Sequence, residues 1–207
     1  MTPREPLVYV VDDDAAVLDA IRMLLRSVGL RAETYTSATD FLAAFDSDQP
    51  GCLVLDIRMP VMSGIELQDR LREIGAMIPV VFVTAHGDIP MAVQAVKAGA
   101  LDFIPKPFRD QDLLDRVQQA IELDLQHRAE LSDRAELLRR FGTLTARERE
   151  VFQLVAAGKA NKVIAADLGI SQRTVEIHRG RVMEKMQARS LPQLVRIALQ
   201  IQERELP

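Results

Sequence analysis

Three aspartates, a threonine and a lysine stand where packing alone does not explain them. Asp12 and Asp13 follow the run Leu7-Val8-Tyr9-Val10-Val11, and Asp56 follows Cys52-Leu53-Val54-Leu55. Thr84 follows Val80-Val81-Phe82-Val83, and Lys106 closes a stretch that begins Leu101-Asp102-Phe103-Ile104. Each run is short, largely apolar and rich in β-branched or aromatic residues, as a strand covered on both faces requires. If the strands are parallel, their carboxyl ends share one edge, and open α/β sheets bind ligands at that edge. Carboxylates gathered there repel one another and lose hydration. A divalent cation offsets both effects, and an all-oxygen donor set favours Mg²⁺ or Mn²⁺. A carboxylate beside such an ion can attack a phosphoryl group. A lysine can neutralise the charge that grows on the phosphoryl oxygens.

The elements needed to gather these groups can be read around them. Ala32-Glu33-Thr34-Tyr35-Thr36 alternates and adds a strand. Helical patterns cover 15–28, 38–47, 64–74 and 89–98, and another starts near Asp110. Five βα repeats predict an α/β fold with a doubly wound parallel sheet and right-handed crossovers. Residues 110–140 read as one long helix. Leu114, Val117 and Ile121 keep helical spacing, Leu131, Ala135 and Leu138 continue it, and Asp124 and Arg128 interrupt it. Two readings stay open for this segment: a solvated connector packed only at its start, and a dimerising coiled segment.

From Leu144 onward the pattern is all helical. Thr145-Ala146-Arg147-Glu148 has the spacing of a capping box and starts a helix running to about Ala157. A short helix covers Asn161 to Leu168, Gly169 supplies the turn, and Ser171 caps a third helix to about Gln187. Ser190 caps a fourth over Leu191 to Glu203. Ala165, Gly169 and Val175 have helix-turn-helix spacing: a small residue for close crossing, a turn glycine and an apolar anchor. Lys159, Lys162, Arg173, Arg179 and Arg181 surround the turn and third helix, as a phosphate-backbone surface needs.

Charge divides at the same place. The 207 residues are 48% hydrophobic and 27% charged, a globular balance, with a net charge of −4 that argues against a uniformly basic nucleic-acid binder. At about 150 residues per domain the length allows one large or two small domains. Residues 1–142 hold 15 Lys+Arg against 23 Asp+Glu, or −8, and residues 143–207 hold 11 against 7, or +4. Opposite signs imply domains with different partners. A single cysteine, Cys52, excludes an intramolecular disulfide and disfavours a Cys-rich metal site. Apolar runs such as Met77 to Val83 are too short to span a bilayer, and the N-terminus lacks the apolar stretch of a signal peptide. A cytoplasmic protein with no membrane partner is expected.

The strand-end motifs resemble the CheY-like receiver domain of two-component response regulators. The resemblance covers about residues 5–123. It rests on Val11-Asp12-Asp13-Asp14, Asp56-x-x-Met59-Pro60-x-x-x-Gly64, Thr84-Ala85-His86-Gly87 and Asp102-Phe103-Ile104-Pro105-Lys106-Pro107-Phe108. It implies that Asp56 accepts the phosphoryl group. Asp12, Asp13, Asp56 and the backbone carbonyl of Arg58 would hold Mg²⁺ (or Mn²⁺), with Asp12 bound directly or through water. Lys106 would pair with the phosphoryl group, and its bond to Pro107 would be cis. Thr84 would swing to bond the phosphoryl group, and Phe103 would act as the aromatic switch. Its inward turn would remodel the face made by helix 89–98, strand 101–104 and the helix from Asp110. Arg58 and His86 occupy positions that tune phosphoryl lifetime. The residues alone leave simpler roles for some of these: Asp14 as a first-turn acid, Asp102 facing solvent, Phe103 as core and Cys52 as a small hydrophobe.

The second segment is similar to the LuxR-type DNA-binding domain over about 143–202. The motifs are Leu144-Thr145-x-Arg147-Glu148-x-Glu150-Val151, Gly158-x-x-Asn161-Lys162-x-Ile164-Ala165 and Ser171-x-Arg173-Thr174-Val175-Glu176-x-His178. With the receiver, this resembles the FixJ/NarL class. Gly87-Asp88-Ile89-Pro90 and Arg173-Thr174-Val175-Glu176 favour its FixJ-type branch. The resemblance implies a receiver over 1–123, a helical linker over 124–142 and a four-helix DNA-binding domain over 143–207. The third helix would enter the major groove with Glu176, Ile177, Gly180 and Arg181 facing the bases. Asn161, Lys162, Arg173, Thr174 and Arg179 would hold the phosphate backbone. For Glu176 a cytosine contact and an intrahelical pair with Arg173 or Arg179 stay open. The implied protein is a transcription factor, not an enzyme beyond its own phosphorylation and dephosphorylation. A sensor histidine kinase donates to Asp56, and a homodimer binds double-stranded promoter DNA and works with RNA polymerase. The residues fit two other classes less well. An aspartate-dependent phosphatase would carry Asp-x-Asp at the first strand, where this chain has consecutive aspartates. A receiver with an RNA-binding or protein-docking output is less consistent with the Arg173 to Arg181 cluster.

Overall fold

The computed structural model describes residues 4–85, 93, 96, 97 and 99–202. Most of the helix expected over 89–98, together with His86 and the motif Gly87-Asp88-Ile89-Pro90, lies outside the described residues. The chain divides into two compact units, Met1–Ala129 and Glu130–Pro207.

In the first unit, β1 (Leu7–Val11), β2 (Arg31–Tyr35), β3 (Gly51–Asp56), β4 (Val80–Thr84) and β5 (Asp102–Pro105) form one sheet in the order β2-β1-β3-β4-β5. Every pairing is parallel. Side chains alternate between faces, as the strand period demands. Tyr9, Leu53, Leu55 and Phe82 pack on one face with Phe41 of α2 (Ala38–Ala44) and with Leu67 and Leu71 of α3 (Gly64–Glu73). Val8, Val10, Cys52, Val54, Val81 and Val83 pack on the other. They meet Leu18, Ile21 and Leu25 of α1 (Ala15–Ser27) and Leu113, Val117 and Ile121 of α4 (Asp110–Gly142). Burial pushes the Cys52 thiol far above its ordinary pKa, with the Asp124 charge adding to it, so the residue serves as an inert small hydrophobe.

The structure corrects two of the expectations about the helices. Asp14 is not a first-turn acid but the N-cap of α1, its carboxylate accepting from Ala16 N at 2.8 Å. The break in the α4 rhythm at Asp124 and Arg128 is a buried clamp, not a solvated stretch. Asp124 is 1% exposed and accepts from Gly51 N and from Arg128 Nε, both at 2.8 Å. Arg128 also donates to the carbonyls of Ser47 and Gln49, at 2.9 and 3.0 Å. Gly51 has no alternative there: at φ 151° an added Cβ would lie 1.8 Å from the Leu7 carbonyl oxygen. Further along α4, Leu131 and Leu138 are each 45% exposed.

In the second unit, α5 (Ala146–Ala156), α6 (Asn161–Leu168), α7 (Gln172–Lys185) and α8 (Leu191–Gln202) enclose Val151, Phe152, Ile164, Ala165, Val175, Val182, Met186 and Leu194. Leu137 and Phe141 of α4 pack against this core. The Thr145–Glu148 capping box is formed. Glu148 is 2% exposed and also pairs with Lys185 Nζ at 2.6 Å, tying α5 to α7. Gly169 turns the chain between α6 and α7 at φ 67°. The Arg147 guanidinium donates to the Leu168 carbonyl at that corner. Among the described residues no helix is long and apolar enough to cross a membrane.

Candidate functional site

Strand register builds the acid pocket. Val11 is opposite Leu55, Asp56 opposite Val83, and Thr84 opposite Pro105. Asp12, Asp56, Thr84 and Lys106 are therefore brought to one edge. Strand order reverses between β1 and β3, so Asp12 and Asp56 stand at the topological switch point. Lys106 Nζ lies between them, 2.6 Å from Asp12 Oδ2 and 2.7 Å from Asp56 Oδ1. The other two carboxylate oxygens accept backbone N–H groups. Asp12 Oδ1 takes that of Asp14 at 3.0 Å, and Asp56 Oδ2 that of Arg58 at 2.7 Å. The Lys106–Pro107 bond is cis.

Burial raises the Asp56 pKa above the usual carboxylate value. The hydrogen bond and charge of Lys106 pull it down, the Asp12 charge pushes it up, and the net effect is a rise. Burial pulls the Lys106 ammonium down, but its bonds to the two carboxylates outweigh this and hold it above its ordinary value. The pocket thus keeps a cation beside a desolvated carboxylate, an arrangement suited to nucleophilic attack on a dianion.

The remaining receiver positions are less gathered. Asp13 is exposed, and among the described residues no three His, Cys, Asp or Glu side chains close into a metal cage. The oxygen donors nevertheless fit Mg²⁺, which typically keeps several waters and takes one or two carboxylates. Thr84 is fully buried, its hydroxyl donating to the Ala85 carbonyl at 3.3 Å, not to Asp56. Phe103 is half-buried against the core that holds Phe82. Asp102 does not simply face solvent. It accepts from Phe103 N at 2.8 Å and pairs with Arg116 of α4 at 2.8 Å. Gly64 leaves room for the acceptor's backbone, since a Cβ there would lie 2.2 Å from the Asp56 carbonyl oxygen.

In the second unit Lys162, Arg173, Glu176, Ile177, Gly180 and Arg181 are exposed. Thr174 is half-buried, its hydroxyl bonded to that of Ser171 at 2.8 Å. Glu176 forms no intrahelical pair with Arg173 or Arg179 among the described residues. Arg179 instead donates to Asn161 Oδ1 at 3.0 Å. Lys159 is committed to Asp167 at 2.7 Å. Neither link was visible from spacing, because each joins residues in different turns of the fold.

Known proteins carry the same two parts. Residues 8–118 match the response regulator receiver domain, and residues 142–198 match the luxR family of bacterial regulatory proteins. The chain is 44% identical over 203 residues to the response regulator protein TmoT of Ectopseudomonas mendocina, covering 98% of this chain and 92% of that one. It is 46% identical over 192 residues to the transcriptional regulatory protein FixJ of Rhizobium meliloti (strain 1021), covering 93% and 94%. The solved structure of the response regulator StyR superposes with a TM-score of 0.87 at 49% identity, covering 94% of this chain and 98% of that one. The chain belongs to the two-component response regulators, with a receiver domain and a LuxR-type DNA-binding domain. Within them it is of the FixJ type, a regulator of transcription and not an enzyme. A histidine kinase and DNA are the partners such domains serve, and the receiver family binds Mg²⁺ at its phosphorylation site.

Proposed function

We propose that Asp56 accepts a phosphoryl group from a sensor histidine kinase and that the phosphorylated protein acts as a homodimeric transcriptional activator in the cytoplasm. The observation that carries this reading is the Lys106 ammonium held 2.6 and 2.7 Å from two desolvated carboxylates. Asp56 supplies the attacking oxygen, and Arg58 N–H orients the carboxylate by bonding its other oxygen. Lys106 then transfers its attraction to the phosphoryl oxygens. Asp12, Asp13, Asp56 and the Arg58 carbonyl would hold Mg²⁺, which when bound neutralises charge on those oxygens. The 3.3 Å bond from Thr84 to Ala85 is long and cheap to release, freeing the hydroxyl for the phosphoryl group. Phe103 then follows inward, a shift between two packings.

The output runs from a receiver over 1–123 through a helical linker over 124–142, whose start is clamped to β3, to the DNA-binding domain over 143–207. In that domain Glu176, Ile177, Gly180 and Arg181 face the bases. Ile177, 50% exposed, suits a thymine methyl group, and Glu176 suits a cytosine amino group. Asn161, Lys162, Arg173, Thr174 and Arg179 hold phosphates. The dimer occupies paired half-sites and engages RNA polymerase.

Chelation tests the metal and the coupling together. With acetyl phosphate and Mg²⁺, intact mass spectrometry is expected to show one added phosphoryl group, and affinity for a promoter fragment selected from genomic DNA is expected to rise. With excess EDTA neither change should occur. Phosphorylation that persists in EDTA would overturn the metal assignment, and phosphorylation without a gain in affinity would overturn the activation.

A further inference from the structure

Among the described residues, Arg179 is the one α7 arginine in the basic cluster with a hydrogen-bond partner from another helix. Its Nη1 donates to Oδ1 of Asn161, the first residue of α6, at 3.0 Å across 18 residues of sequence. A guanidinium has donors only, so this bond sets the amide orientation: Oδ1 accepts from Arg179, and the Nδ2 donors stay available to another acceptor. The donors left on the two side chains are complementary to an anion such as a DNA phosphate. Arg179 makes no pair with Glu176 among the described residues, so its charge is not cancelled by the nearest acid on its own helix. Lys159, by contrast, is already neutralised by Asp167 at 2.7 Å.

We infer that Asn161 is a positioning residue. It serves DNA binding mainly by holding the Arg179 guanidinium in place for a backbone phosphate, more than through a contact of its own. This rests on the proposed DNA-binding face and adds a division of labour within it. A long side chain fixed before the duplex arrives loses less freedom on binding, so the hold shows as affinity. Because phosphate contacts carry no sequence information, the gain is the same on every duplex.

The test uses the full chain and sonicated calf-thymus DNA, with affinity measured by competition against a fluorescent duplex over a salt series. Arg179→Ala is expected to weaken binding roughly tenfold and to lower the salt slope by about one. Asn161→Ala should weaken binding by roughly three- to tenfold, in keeping with the net worth of one ordinary hydrogen bond, since the guanidinium is held less firmly but not removed. The deciding measurement is the double variant. If Asn161 acts through Arg179, the double variant binds no more weakly than Arg179→Ala alone. Losses that multiply would overturn the inference and make Asn161 an independent contact, as would an unchanged Asn161→Ala affinity. Thermal melts of each variant serve as the folding control. If Asn161→Ala melts early, Asn161→Leu, which keeps the volume but offers the guanidinium no acceptor, replaces it in the same cycle, and multiplied losses again overturn the inference. Failure of the parent protein itself to bind duplex would overturn the DNA-binding face, and this inference with it.

Discussion

Asp56→Asn is expected to abolish uptake of phosphate from acetyl phosphate with Mg²⁺, leaving no phosphoprotein detectable by mass. The amide keeps the shape of the side chain and can still accept the Arg58 N–H that now reaches Asp56 Oδ2 at 2.7 Å. It lacks the anionic oxygen that attacks phosphorus. Folding should survive the change. Burial raises the Asp56 pKa, so the charged form is disfavoured by the fold, and a neutral isostere removes that cost. Lys106 keeps its 2.6 Å partner Asp12. Stability is therefore expected to move by no more than about 1 kcal/mol, read from urea melts. Phosphorylation that persisted in this variant would transfer the acceptor role to Asp12 or Asp13 and sink the assignment.

The second large effect lies far from the phosphate. Lys185→Met is expected to destabilise the second unit by about 1–3 kcal/mol, less than for a fully buried pair because the Lys185 side chain is 34% exposed, yet a sizeable share of the roughly 5–15 kcal/mol a domain holds. The Glu148 side chain is 3% exposed, and without the ammonium 2.6 Å away its charge keeps only Thr145, whose N–H donates at 2.9 Å, to compensate it. The hydrogen bond from Lys185, then that from Thr145 N–H, holds the Glu148 carboxyl down at about 2, against an ordinary value of 4.5. The sign follows. A carboxyl depressed in the folded state contributes its full stability above 4.5 and loses it as pH falls towards about 2. In Lys185→Met the Glu148 part of that acid-side decline should shrink or reverse, because protonation then relieves the poorly compensated charge, and the deficit against the parent should narrow as pH falls. Adding Glu148→Gln should recover much of the loss, since the amide can still accept from Thr145 N–H. Circular dichroism melts over a pH series read the parent and both variants. A second unit melting identically in Lys185→Met and in the parent would show that the pair contributes nothing.

Legibility tracked the range of each interaction. Asp12, Asp56, Thr84 and Lys106 could be found because each directly follows an apolar run, a local pattern, and parallel register then aligned the strand ends. The Thr145–Glu148 box and the Ser171 cap were equally local. Asp14 reads as a first-turn acid but stands one position earlier, at the N-cap, because an acid at either place leaves the same trace in a sequence. Asp124 was invisible for another reason: its partner Gly51 lies 73 residues away, and a charged residue at an apolar position reads as solvated until that partner is known. The bond between Asn161 and Arg179 was hidden in the same way. Thr84 was correctly placed at the edge, but which acceptor its hydroxyl uses depends on a torsion that no spacing encodes.

The Asp124 clamp also decides where this chain can be cut. A fragment ending at residue 123 would keep every group of the acid pocket yet strand the buried Gly51 N–H, together with the Ser47 and Gln49 carbonyls that Arg128 satisfies. An orphaned buried N–H costs about 1–3 kcal/mol, and this one sits on the first residue of the strand whose last residue is Asp56. Excision at Ala129, where the first compact unit ends, retains both ends of that strand intact. The phosphate chemistry and the root of the connecting helix are therefore one piece of protein engineering, and the shorter cut would impair the reaction by loosening the far end of its strand.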